Sequence, residues 1–60
     1  MTRNQEKVLA AIRAGARTVT SIAEATGMSY GKLYPLLAQL ERREMISSRF
    51  AGDRRLYTPK

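Results

Sequence analysis

A chain of 60 residues has room for one domain, and folding at this size buries only about 60% of the surface that the unfolded chain exposes. Apolar residues make up 43% of it, Cys and His are absent, and eleven Lys and Arg against five Asp and Glu leave a net charge of +6. That composition excludes a disulfide framework, a thiolate metal site, most zinc chemistry and the usual histidine base, and it favours a polyanionic partner. No apolar run is long enough to span a bilayer and the polar N-terminal stretch lacks a signal-peptide core, so a cytoplasmic, nucleoid-associated protein is expected.

Residues 3–14 read as a first helix. Thr2 and Gln5 match a capping box, Val8, Leu9, Ala11 and Ile12 form one apolar face, and Gly15 is a natural stop. Arg3, Glu6, Lys7 and Arg13 fall on the solvated side. Residues 16–19 form a connector long enough for a strand of two or three residues against a later hairpin. A second helix covers about 20–26, with Ile22, Ala23 and Ala25 as a small apolar face. Thr18 or Thr20 caps it, and spacing does not choose between them. Both are candidates for DNA-backbone contact, since an exposed hydroxyl in a first helical turn can reach a phosphate.

Gly27 can take the left-handed conformation that ends a helix, and a third helix follows over about 29–43. Ser29 is placed to cap it, Met28 and Leu33 stand where a hydrophobic staple would stand, and Leu33, Leu36, Leu37 and Leu40 repeat as one buried stripe. Two helices joined this way are a helix-turn-helix, whose second helix lies in the DNA major groove with its N-terminal residues at the base edges. Pro35 interrupts the pattern. In a helix interior it removes one backbone hydrogen bond and crowds the carbonyl of Gly31, at a cost of about 3 kcal/mol. Either the helix begins only at Pro35, or it begins near Ser29 with a loosened first turn. The second reading keeps Leu33 on the stripe and is preferred.

Residues 45–58 read as a hairpin in which Ile46, Ser48 and Phe50 alternate with Ser47 and Arg49, and Leu56 and Thr58 with Arg55 and Tyr57. With Ala51-Gly52-Asp53 as a three-residue loop, Ile46, Phe50 and Leu56 face the core while Ser47, Arg49, Arg55 and Tyr57 face outward. The expected fold is therefore α+β, a winged helix-turn-helix of three helices and a C-terminal two-stranded wing, filling residues 1–60 as one domain.

The candidate DNA-reading residues are Ser29, Tyr30, Gly31, Lys32 and Tyr34, at the start of the recognition helix and off the leucine stripe. Lys32 suits guanine O6 or N7, the tyrosines suit a thymine methyl or a phosphate, and Gly31 lets the backbone come close. The helix N-terminus itself favours a phosphate. The plain alternative for either tyrosine is a half-buried ring beside the core. Arg49, Arg54 and Arg55 are the candidate wing contacts, to the backbone or a narrow minor groove. Their plain alternative is a charged edge that prevents sheet-to-sheet pairing. Arg42 and Arg43 complement the helix dipole. With no nucleophile–base pair, phosphate loop or ligand cluster in the sequence, neither enzymatic activity nor a metal or cofactor is expected.

The stretch Gly31-Lys32-Leu33-Tyr34-Pro35-Leu36-Leu37-Ala38-Gln39-Leu40-Glu41 resembles the recognition helix of the PadR-like winged-helix transcriptional regulators, proline included. Met45-Ile46 and Arg54-Arg55-Leu56-Tyr57-Thr58 are similar to the entry into and exit from that family's wing, and Asp53-Arg54-Arg55 also resembles the wing of the MarR-like family. The resemblance runs from about Thr18 to Thr58 and implies a recognition helix that continues through Pro35. It departs at Glu44, where the family commonly has glycine, and it does not extend to the C-terminal helices that dimerise PadR-like proteins. The function it implies is sequence-specific binding of double-stranded DNA by a transcriptional regulator of a prokaryote or phage, expected to repress by occupancy. Self-association would be weak in solution and promoted on DNA. Two other readings stand beside it: an architectural DNA binder such as a recombination directionality factor, and a winged-helix protein-interaction module.

Overall fold

A capping box starts the first helix, α1 (Arg3–Arg13): Thr2 Oγ1 accepts the Gln5 N–H at 3.2 Å and Gln5 Oε1 accepts the Thr2 N–H at 3.0 Å. The same buried glutamine donates through Nε2 to Gln39 Oε1 at 2.7 Å, so one side chain both caps α1 and ties it to the third helix. The structure, a computed structural model, describes all 60 residues; after α1 come α2 (Val19–Thr26), α3 (Tyr30–Arg42), β1 (Ile46–Ala51) and β2 (Arg54–Pro59). Thr18 is the cap of α2, its Oγ1 accepting the Ser21 N–H at 3.1 Å, which leaves Thr20 exposed in the first turn. Ser29 occupies the cap position of α3 but makes no side-chain cap bond there, contrary to the role its position suggests.

The helix continues through Pro35, which is exposed on the side away from Leu33, Leu37 and Leu40. The hydrogen bond missing at Pro35 therefore falls on the solvent side, where water can satisfy the Gly31 carbonyl. Helices α1 and α3 end alike. At α1, Gly15 (φ 121) precedes Ala16, whose N–H reaches back to the Ala11 carbonyl at 3.0 Å. At α3, Glu44 (φ 59) precedes Met45, whose N–H reaches the Leu40 carbonyl at 3.0 Å, while the Glu44 N–H meets the Glu41 carbonyl at 2.9 Å. Both are Schellman closures with a left-handed residue, but only the first uses glycine.

Glu44→Gly should therefore stabilise the protein by about 0.5–1 kcal/mol. The left-handed strain relieved is roughly 1–2 kcal/mol, and the entropy a glycine loses on folding, roughly 0.5–1 kcal/mol, offsets part of it. Glu44 pairs with Lys60 at 3.2 Å, but both side chains are exposed, so removing the pair matters little. Urea unfolding reads the difference; a destabilised variant would mean the ion pair outweighs the backbone.

The hairpin corrects the sequence reading. Ala51 pairs with Arg54, so the loop is the two residues Gly52 and Asp53, with positive φ only at Gly52 (φ 69), as in a type II′ turn. With one residue fewer in the loop, the whole second strand turns over. Tyr57 pairs with Ser48 and faces the core, 4% exposed, where the alternation predicts an outward position. Leu56 pairs with Arg49 on the opposite face and is only half-buried. Phe50 shares the face of Ile46 but overhangs the end of the core, 67% exposed, and is no part of it.

The core joins Val8, Leu9, Ala11 and Ile12 of α1, Ile22 of α2, the three leucines of α3, Ile46 and Tyr57. Leu36 packs at its margin and Ala25 is exposed, so neither is as central as the periodicity suggests. Residues 16–19 add no strand to the two-stranded sheet; they contribute one backbone bond, from the Tyr57 N–H to the Arg17 carbonyl at 2.7 Å.

Candidate nucleic-acid interface

Past the edge of the core, the inner face of the hairpin looks across at the start of α3 and the first turn of α2. The space between them is an open groove of about 660 Å³. Thr18, Thr20, Tyr30, Tyr34, Arg54 and Arg55, all picked out in the sequence, line it together. Val19, Phe50, Asp53 and Tyr57 line it too and escaped the sequence reading. Tyr57 escapes because a three-residue loop turns it outward, and Phe50 because alternation gives its face but not how far that face extends beyond the core. Ser29, Gly31, Lys32 and Arg49 are not brought into this groove. Arg49 stands with Leu56 on the other face of the hairpin, and Gly31 and Lys32 lie on exposed turns of α3 beyond Tyr30.

Both tyrosines of α3 are exposed, Tyr30 by 47% and Tyr34 by 55%, so neither is packed into the core. Tyr30 Oη and Thr20 Oγ1 lie 2.9 Å apart, a hydrogen bond that joins the starts of the two helices. The first N–H groups of α3 are free as well. Lys32 and Leu33 donate to the Ser29 carbonyl at 3.1 and 3.0 Å, leaving those of Tyr30 and Gly31 without a partner in the chain. Orphan N–H groups and the positive end of the helix dipole make that end attractive to an anion.

The cations stay available. The one ion pair in the chain is Lys60 with Glu44, remote from the groove, so neither Arg54 nor Arg55 is paired directly with a carboxylate. Asp53 is the single acid in the groove wall. Arg55 lies over the Phe50 ring, 4.6 Å from its centroid, and donates to Ser48 Oγ at 3.2 Å. Ser48 in turn donates to Glu41 Oε1. Gly31 needs no special conformation, and a Cβ built there would meet nothing within 4 Å.

Burial pushes the Tyr57 phenol above its ordinary value of 10.0; Arg55 opposes the shift, while Glu41 and Tyr34 add to it. The fold thus favours the neutral phenol. Stability from this group is complete below the unfolded value and is lost as pH rises through the higher folded value. From neutral pH to about pH 9 this group leaves the melting temperature unchanged; above that the melting temperature should fall, and Tyr57→Phe should remove a part of that fall. A fall of the same size in the variant would assign it wholly to other groups.

No protein-family model matches the chain, and no curated protein matches it. Among solved structures the chain is similar to Bordetella bronchiseptica BpsR, in a structure that concerns the mechanism by which 6-hydroxynicotinic acid regulates that protein's DNA binding. The TM-score is 0.94 at 20% sequence identity, over 100% of this chain and 45% of that one. At such low identity the likeness is one of fold: this chain has the winged-helix architecture found in a part of BpsR, and spans less than half of that protein's length.

Proposed function

We propose that this protein binds double-stranded DNA sequence-specifically and regulates transcription, most simply as a repressor that occupies its site. The observation that carries the reading is the groove itself, in which two unpaired wing arginines stand opposite the exposed, anion-attracting start of α3. In this reading α3 enters the major groove. Lys32 and Tyr34 reach base edges, Thr18, Thr20, Ser29 and Tyr30 meet the backbone, and Arg54 and Arg55 follow the backbone or minor groove. Arg49 serves the far side of the wing. The PadR-like character of residues 31–41 supports α3 as the reading helix, and the fold shared with a protein whose DNA binding has been examined structurally supports the ligand class. One module this small buries limited surface, so tight binding calls for two or more copies on a repeated or palindromic site, with weak association in solution.

Footprinting across the DNA upstream of the protein's own gene tests the proposal. A short, discrete protected site is expected. A tract that spreads with protein concentration would favour the architectural reading, and no protection even at low salt would overturn DNA binding altogether.

Gly31→Ala separates fold from function. Since nothing occupies the space a Cβ would fill, the variant should gain about 1 kcal/mol of stability from better helix propensity. It should nevertheless bind specific DNA more weakly, because the added methyl holds α3 away from the base edges. A more stable variant with unchanged affinity would put Gly31 outside the interface.

A further inference from the structure

The wing arginine that faces α3 is held in place before any DNA arrives. Arg55 and Phe50 are cross-strand partners, and the guanidinium lies over the ring at 4.6 Å. On the same face, two residue pairs nearer the core, Ser48 Oγ accepts from Arg55 Nη1 at 3.2 Å and donates its own hydrogen to Glu41 Oε1. Glu41 is half-buried on α3, a carboxylate close to a surface otherwise suited to a polyanion, and forms no direct ion pair. A carboxylate there should weaken DNA binding by simple repulsion, unless it does something else.

We propose that Glu41 and Ser48 are positioning residues for Arg55: the carboxylate fixes the Ser48 hydroxyl, the hydroxyl fixes the guanidinium, and the stacked ring closes the other side. Polarity runs one way along this chain, because a carboxylate only accepts and a guanidinium only donates. Arg55 gives one N–H to Ser48 and keeps its other donors for DNA. A long side chain that is already ordered loses less entropy on binding. The relay also joins the recognition helix to the wing, so the two parts of the groove keep a fixed spacing. The inference rests on the DNA-binding reading of the wing given above.

Simple repulsion and positioning predict opposite signs. DNA affinity is measured by fluorescence anisotropy on the footprinted site for Glu41→Ala, Glu41→Gln, Ser48→Ala, Arg55→Ala and the Glu41→Ala/Arg55→Ala double variant. Glu41→Ala and Ser48→Ala should each bind about two- to tenfold more weakly, the range that ordering one rotamer-rich side chain represents. Glu41→Gln, whose amide oxygen can still accept from Ser48 without a charge, should bind at least as well as the parent. In the Arg55→Ala background, Glu41→Ala should weaken binding no further. In the free protein, nitrogen NMR of the Arg55 guanidinium should report restricted rotation that Ser48→Ala releases. Ser48→Ala carries the test alone if Glu41→Ala fails to fold. Tighter binding in Glu41→Ala, or a freely rotating guanidinium in the parent, would overturn the positioning role while leaving the wing reading intact. An Arg55→Ala variant that binds as the parent does would overturn both.

Discussion

Tyr57→Ala should remove most of the stability of this fold, and Phe50→Ala should remove very little. Tyr57 is 4% exposed and packs with Ile46 and the helix leucines, whereas Phe50 is 67% exposed beyond the core's edge. Truncating a buried aromatic ring destabilises by about 3–5 kcal/mol. A domain of this length is expected to have only about 3–9 kcal/mol in total, at roughly 0.05–0.15 kcal/mol per residue. The tyrosine variant should thus be largely unfolded, or close to it, at room temperature. Phe50→Ala forfeits chiefly the stacking of Arg55, about 0.5–1 kcal/mol at an exposed site. Urea midpoints compare the two directly. The reverse ranking would mean that the second strand is turned over, as a three-residue loop would turn it, with Tyr57 outward, Leu56 inward and the core extended under Phe50.

The second large effect concerns the wing. Replacing Arg54 and Arg55 together with alanine should lower affinity for all DNA by about a hundredfold or more, as expected for two charge-assisted hydrogen-bonding groups at roughly 1.5–3 kcal/mol each. It should flatten the dependence of log affinity on log salt by up to about two units, near 0.9 for each phosphate that is no longer neutralised. Base preference should barely change, because phosphate contacts carry no sequence information directly. The expectation follows from geometry: both side chains line the groove and neither is paired directly with a carboxylate. Arg49→Ala should change the slope less, since that residue does not line the groove. A double variant with an unchanged slope would remove the wing from the interface and leave these arginines as a charged edge.

The α+β winged-helix class was legible in the sequence because each of its signals is local. The Thr2–Gln5 capping box, the stops at Gly15 and Gly27 and the leucine spacing of α3 all act within one or two turns of chain, and the structure carries each of them. Pro35 was ambiguous by propensity alone. What resolves it is the exposure of its side of α3, together with the burial of Leu33, which holds the first turn of the helix against the core.

The tertiary structure decided what the local signals left degenerate. Alternation marked two strands but not their register, and a loop of two residues instead of three sends Tyr57 inward and Leu56 outward, since neighbouring strand residues face opposite ways. Glu44 takes a conformation its side chain disfavours because Met45 must return to pack against the core, and the Schellman bonds to Leu40 and Glu41 are the way to make that turn. The groove is decided the same way. Thr18, Tyr30 and Arg55 are far apart along the chain, and no periodicity relates them; they meet because α1 packs against α2, α3 and β2 and so fixes the distance between the hairpin and α3. Chain-local chemistry thus determined which elements form, while burial, which compares the whole set of apolar faces at once, determined which faces meet and which side chains are left to face a ligand.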